Sequence, residues 1–317
     1  MIETVGAWWM WAGFVVFVAA MLVLDMFVLG GRGAHKVSVQ EALGWSVTWV
    51  ALALVFNAGL WWYLDGQVGR ELANEKALEF LTGYLIEKSL SVDNIFVFLM
   101  IFSYFAVPPE YQRRVLLYGV LGAIVLRAAM ILAGVWLVTM FHWVLYLFGA
   151  FLVVTGVKMF LFAEHKPDLE KNPVLRWMRR HLRITDGHEG ERFFVMRDGL
   201  RYATPLFLVL VLVEMSDLVF ALDSIPAIFA VTEDPFIVFT SNIFAILGLR
   251  ALYFLLVDVT DRFHLLKYGL ALVLMFVGTK MLIAYWFTIP VAVALGVVAA
   301  IIATSVILSL ALSRQNR

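Results

Sequence analysis

The 317 residues are 63% hydrophobic and 15% charged, with a mean hydropathy of +0.90. A soluble domain runs at roughly 45–50% apolar residues, so this chain has too few charges to cover a soluble enzyme and is too apolar to be disordered. Lys plus Arg and Asp plus Glu balance at 24 each, which points to no nucleic-acid partner, and the absence of cysteine excludes disulfide frameworks, thiolate metal sites and haem attachment. The composition implies an all-α, polytopic membrane protein.

A spanning helix needs about 20 mostly apolar residues. Nine runs meet that length: 8–29, 43–64, 78–105, 115–138, 142–162, 203–231, 236–257, 264–286 and 289–312. Residues 1–7 carry Glu3 and no Lys or Arg, and the first run is too long for a signal core, so it reads as a retained membrane helix. Nearly all loop Lys and Arg fall in the first, third, fifth and seventh loops and the C-terminus, with Arg70 and Lys76 as exceptions. Positive charge marks the cytoplasmic side, which orients the chain N-out and C-in. Trp8, Trp9, Trp11, Trp61, Trp62, Trp143 and Trp286 then fall near the outer interface, where an aromatic belt is expected.

The fifth loop, residues 163–201, is long and basic. Within 173–184, Val174, Met178 and Leu182 share one side, and Arg176, Arg179, Arg180 and Arg183 occupy the others. That pattern fits either an interfacial helix on anionic lipid or a solvated basic loop that only fixes topology. Phe193–Met196 followed by Arg197-Asp198-Gly199-Leu200 predicts a small hairpin closed by a type I′ turn.

Two segments resemble each other. Glu87…Asp93-Asn94, Leu126-Arg127-Ala128 and Gly156…Lys158-Met159 recur as Asp217…Asp223-Ser224, Leu249-Arg250-Ala251 and Gly278…Lys280-Met281. The Arg-to-Lys spacing is 31 residues in one copy and 30 in the other. Each copy covers three spans, and an odd number inverts the second copy, as in inverted-repeat transporters. The chain then divides into a two-helix segment at 1–77, a first repeat at 78–162, a basic loop at 163–202, an inverted repeat at 203–286, and a last helix with a short tail at 287–317.

Glu87, Asp93, Asp217 and Asp223 fall at mid-membrane depth. Each charged carboxylate there costs about 2.5–3.5 kcal/mol, so four cost on the order of 10–14 kcal/mol. A cation, protons or the buried Lys and Arg must offset this. Six residues along a helix turn through about 600°, leaving the acids of each motif roughly 120° apart. Pro226 cannot donate to the carbonyl of Leu222 and should free a further oxygen. Asn94, Ser224 and Ser91 add neutral oxygen ligands, and such a set suits Mg²⁺, Mn²⁺ or Ca²⁺. Alternatively, these acids pair with Lys88, Arg127 or Arg250, and charge balance is the favoured role for Arg127 and Arg250. Lys158 and Lys280, near span ends, are expected to snorkel. Glu214, three residues before Asp217, extends the site or pairs locally, and Asp25 in the first span is a candidate gate residue. His35, His165, His181 and His188 read as loop residues with structural or solvated roles.

At these residues the sequence resembles the TerC family of integral membrane proteins, closely its Alx-type members. The resemblance is densest in residues 81–94 and 214–229, continues through 234–238 and 240–251, and extends over essentially the whole chain. It implies an inner-membrane protein of seven to nine spans that exports divalent manganese, with Glu87, Asp93, Asp217 and Asp223 as the presumed metal site. Manganese is then cargo rather than cofactor, protons are a candidate coupling ion, and lipids are the other partners. Oligomeric state stays open. A metal-delivery or scaffold protein is the alternative. A membrane-embedded enzyme finds no support, because the sequence offers no nucleophile–base pair or His/Cys ligand cluster.

Overall fold

The structure, a computed structural model, describes residues 4–30, 38–161, 169–257 and 265–315. It is mainly helical: α1 (Trp8–Gly30), α2 (Val39–Val68), α3 (Arg70–Tyr104), α4 (Pro109–Met140), α5 (Val144–Leu161), α6 (Pro173–His181), α7 (Pro205–Phe229), α8 (Pro235–Leu247), α9 (Leu249–Leu256), α10 (Leu266–Ile283) and α11 (Val291–Gln315). Strands β1 (Phe194–Arg197) and β2 (Leu200–Ala203) form the expected hairpin, and Asp198 and Gly199 take the φ values of +51° and +74° that its type I′ turn requires.

The helix starts follow local sequence signals. Proline opens α4, α6, α7 and α8, where its missing N–H is no loss. Ser38 caps α2, Asn172 caps α6 and Asp234 caps α8. The Asp234 carboxylate also accepts from Thr4 Oγ1 and Val5 N, both at 2.9 Å, tying the N-terminal segment to the start of α8.

Among the described residues, seven helices are long and apolar enough to cross a membrane: α2, α4, α5, α7, the α8–α9 run, α10 and α11. Nine were expected. The described side chains of α1 cover Trp8–Leu24, an apolar stretch whose helix continues to Gly30. α3 carries Glu75, Lys76, Glu79, Glu87, Lys88 and Asp93, so its composition no longer marks it as a membrane helix. Yet α3 lies at the centre, packed on α2, α7, α8 and α11, and Glu79 and Glu87 are buried.

The run expected as one span over 236–257 has membrane-crossing length at Pro235–Leu256, and Gly248 interrupts its helix between α8 and α9. Lys88 donates to the Ala245 carbonyl near this break, at 3.3 Å. A side chain at Gly248 would meet Lys88 Nζ and Trp49, so the break and the lysine occupy each other's space. Beside it, Phe14, Phe56, Phe80, Phe236 and Phe244 from α1, α2, α3 and α8 make an aromatic core.

The amphipathic segment of the basic loop is a helix, but its apolar side does not face lipid. Leu175 and Met178 of α6 are buried with Phe98, Leu206 and Val209 of α3 and α7. Trp177 is exposed and stacks on His181. The other described loop histidine, His188, bonds the Phe105 carbonyl at 3.0 Å, whereas His35 and His165 lie outside the described residues.

α5 and α10 form the most extensive helix contact. Small residues permit it: a Cβ added at Gly278 would sit 2.7 Å from the Gly149 carbonyl oxygen, and one at Gly156 would sit 2.8 Å from that of Ala271. Backbone cannot yield as a side chain tip can. Gly278→Val is therefore expected to lower stability by at least about 1–3 kcal/mol, the usual cost of overpacking. Gly296, with nothing within 4 Å of its Cβ position, should tolerate Ala, and thermal unfolding in detergent compares the two.

Candidate functional site

Glu87 lies at the midpoint of α3 and Asp217 at the midpoint of α7. Both are buried, and so is Arg127 of α4, whose side chain is 1% exposed. The Arg127 guanidinium joins them. Its Nη1 donates to Glu87 Oε1, while Nη2 and Nε donate to the two oxygens of Asp217 at 3.0 and 3.3 Å. Nη1 also faces Ser224 Oγ at 3.1 Å and Asn242 Oδ1 at 3.4 Å. One cation therefore holds oxygen atoms from α3, α7 and α8. The planar fork of arginine suits such multidentate work in a way a lysine ammonium does not.

Neutral groups complete the centre. Asn94 Nδ2 donates to Asp217 Oδ1 at 3.2 Å, and Asn242 Nδ2 donates to Glu87 Oε2 at 3.2 Å. Ser224 also hydrogen-bonds Glu87. The contacts are reciprocal: the residue seven positions after the first acid of each motif bonds the first acid of the other, so α3 and α7 run antiparallel here. Asn94 is 1% exposed, and its Oδ1 has no hydrogen-bond partner among the described residues.

The second acids lie apart from this centre. Asp93 and Asp223 are partly buried and close enough for their charges to act on one another. Lys267 of α10 acts on Asp93, and Thr155 of α5 hydrogen-bonds Asp223, with Lys158 nearby. The rotation of about 120° between acids six residues apart thus separates them into two pairs. Glu87 and Asp217 share Arg127, while Asp93 and Asp223 face the α5–α10 side. Among the described residues, no group of three or more acidic, His or Cys side chains is placed to hold a metal ion.

The remaining expected residues distribute as follows. Ser91 donates its hydroxyl to the Glu87 carbonyl at 2.8 Å, within its own helix. Glu214 lies one turn before Asp217 against Gly122 of α4, and its Oε2 has no partner among the described residues. Arg250 is buried on α9 and lines, with Asp217, a small cavity walled by Gly119, Ala123 and Val213. Lys158 is exposed, as snorkelling requires, but Lys280 turns inward to the Ala230 carbonyl at 3.1 Å. Pro226 sits inside α7, which remains helical to Phe229. Asp25 falls on α1, and its side chain lies outside what the structure describes. Asn242 was not among the expected residues; its signal, a polar residue inside an apolar run eight residues before Arg250, was present in the sequence.

The profile of the integral membrane protein TerC family matches residues 72–317. A protein of Salmonella typhi named "Putative membrane-bound redox modulator Alx" is 59% identical over 99% of this chain and 98% of its own length. A Myxococcus xanthus protein, "Uncharacterized membrane protein STKORF319", is 53% identical over 98% of this chain and 95% of that protein. An uncharacterized membrane protein of Rickettsia felis is 42% identical over 95% of this chain and 97% of that protein. No solved structure matches.

Breaking the central ion triad should be costly, because removing one partner strands a buried charge. Arg127→Gln is expected to lower stability by about 3–5 kcal/mol. Adding Glu87→Gln should cost much less than the sum of the two single changes. A double-mutant cycle by thermal unfolding in detergent measures that coupling, and additive losses would show that the pair does not interact.

Proposed function

The chain belongs to the TerC family of integral membrane proteins, and from that membership we propose that it is a multi-pass transporter that exports divalent manganese from the cytoplasm. The observation that carries this reading is the meeting of Glu87 and Asp217, from two similar motifs, around one buried guanidinium. With both carboxylates ionised, Arg127 offsets one of the two charges, and Arg250 is buried on α9 along a cavity shared with Asp217. The oxygen donors of this centre are carboxylate, amide and hydroxyl, which suit a hard divalent cation.

In this reading α1 and α3 also cross the bilayer, giving nine spans with the N-terminus outside and the C-terminus in the cytoplasm of a cell with an inner membrane. The reciprocal contacts of Asn94 with Asp217 and of Ser224 with Glu87 support two inverted three-helix repeats, 78–162 and 203–286. Mn²⁺ engages Glu87 and Asp217 at the centre and Asp93 and Asp223 on the α5–α10 side, in two stages rather than in one four-acid cage. Carboxylates release protons when they take a metal, so proton exchange is the natural coupling. The chain's part is transport rather than catalysis.

The name of the Salmonella relative invites a redox role. With no cysteine, this chain lacks a thiol–disulfide route, whereas control of manganese would influence redox state indirectly. The exposed Trp177 and arginines of α6 favour one second reading, a metal-delivery or scaffold protein that docks partners on the basic loop.

Proteoliposomes loaded with Mn²⁺ test the proposal. Wild-type protein is expected to move Mn²⁺, and Asp93→Asn and Asp223→Asn should each slow it by about tenfold or more, the scale of losing about 1.4 kcal/mol from the barrier-lowering interactions. Binding without flux in wild type would transfer the lead to the delivery reading. Neither binding nor flux would leave the acids as counter-ions to Arg127.

A further inference from the structure

Resting on the cation-transport reading above, we propose that Arg127 is a tethered counter-ion filling the place of the transported cation, and that Glu214 receives its guanidinium when a divalent cation takes over Glu87 and Asp217.

The first support is the company Arg127 keeps. Its guanidinium touches Glu87 Oε1, both Asp217 oxygens, Ser224 Oγ and Asn242 Oδ1. These are oxygen atoms of the kinds that coordinate a hard cation, gathered around one positive group. The second support is independent. Asn94 Oδ1 is buried beside Asp217 and finds no donor among the described residues, although its own amide bonds that carboxylate. An orphaned buried acceptor is costly. A guanidinium, with donors fixed in one plane, leaves it unserved, whereas a spherical cation accepts oxygen from any side.

The third support is a place for the displaced arginine. Side chains on a helix lean toward its N-terminus, so residue 127 of α4 leans over the turn holding Gly122 and Ala123. Glu214 rests against Gly122, where any side chain would overlap its carboxylate. Glu214 stands three residues before Asp217 on α7, a rise of about 4.5 Å, and its Oε2 has no partner among the described residues. A guanidinium leaving Asp217 can therefore reach an acid one turn away without either helix moving far.

Charge then sets selectivity. A monovalent cation in place of Arg127 would leave the same net charge on the two acids and forfeit the guanidinium's hydrogen bonds. A divalent cation neutralises the acids and releases Arg127 to Glu214. Arg127 thereby acts as a threshold that favours divalent over monovalent ions, a positioning role exerted through Glu87 and Asp217 and not through contact with cargo.

Equilibrium dialysis of radiolabelled MnCl₂ against purified full-length protein in detergent, paired with thermal unfolding, separates the cases. Arg127→Gln should bind Mn²⁺ about tenfold tighter than wild type, and Glu214→Gln about tenfold more weakly, each a change of one interaction. In the Arg127→Gln background, Glu214→Gln should have no further effect, since no guanidinium needs a place. Mn²⁺ should also raise the unfolding temperature of Arg127→Gln more than that of wild type. Equal weakening by Glu214→Gln in both backgrounds would make Glu214 a ligand and overturn the proposal, as would weaker or unchanged binding in Arg127→Gln. Should Arg127→Gln fail to fold, Arg127→Lys serves: its single ammonium cannot fork across both acids, so tighter binding supports the proposal and unchanged or weaker binding overturns it. Glu87→Gln separates the two levels. If wild type binds Mn²⁺ and Glu87→Gln abolishes this while the Arg127 variants leave binding unchanged, only the counter-ion role falls. If no folded protein binds Mn²⁺, the transport reading falls with it.

Discussion

One guanidinium sets the terms for the centre of this protein. Arg127 is held to Glu87 and Asp217, and each of these charges would be prohibitive alone in an apolar bundle. None can move without leaving another uncompensated. The neighbouring helices present polar groups at this level: Asn94 on α3, Ser224 on α7, Asn242 on α8. Packing follows the same demand. α4 approaches α7 closely because Gly119 and Gly122 carry no side chain on that face, which lets the charged groups meet.

Much of the scaffold was legible in the sequence. Apolar length located the helices to within a few residues in most cases, since helix ends carry proline and capping residues. Asp198-Gly199 announced its turn because few other residue pairs adopt two consecutive left-handed conformations. The two acidic motifs and the buried arginines were also visible, and Arg127 is ion-paired in the structure with Glu87 and Asp217. What sequence could not supply was side-chain direction across helices. Whether Glu87 meets Asp93 or Asp217 depends on how α3 is rotated against α7, and no spacing within one helix contains that angle.

The apolar count treated 236–257 as one span, and the α8–α9 run has that length, with Gly248 interrupting the helix where Lys88 supplies a donor. One misjudgement has a clear cause: the apolar pattern offered lipid as a destination for the apolar side of α6, when Leu175 and Met178 complete a core with α3 and α7. Hydrophobicity says that a surface must leave water; it does not say whether lipid or protein receives it. In a membrane protein those two destinations differ little in polarity, so local pattern discriminates poorly between them.

The glycine contact between α5 and α10 has a mechanical meaning. Where Gly149 meets Gly278, and Gly156 meets Ala271, backbone lies on backbone with no side chain between to change rotamer. Sliding one helix past the other would drive Leu152 or Met275 into a peptide group. The pair is thus a single strut, and one side of the molecule is stiff by construction. Arg127 belongs to neither helix of that strut: it joins α4 to α3, α7 and α8, so the charged cluster is held across other seams.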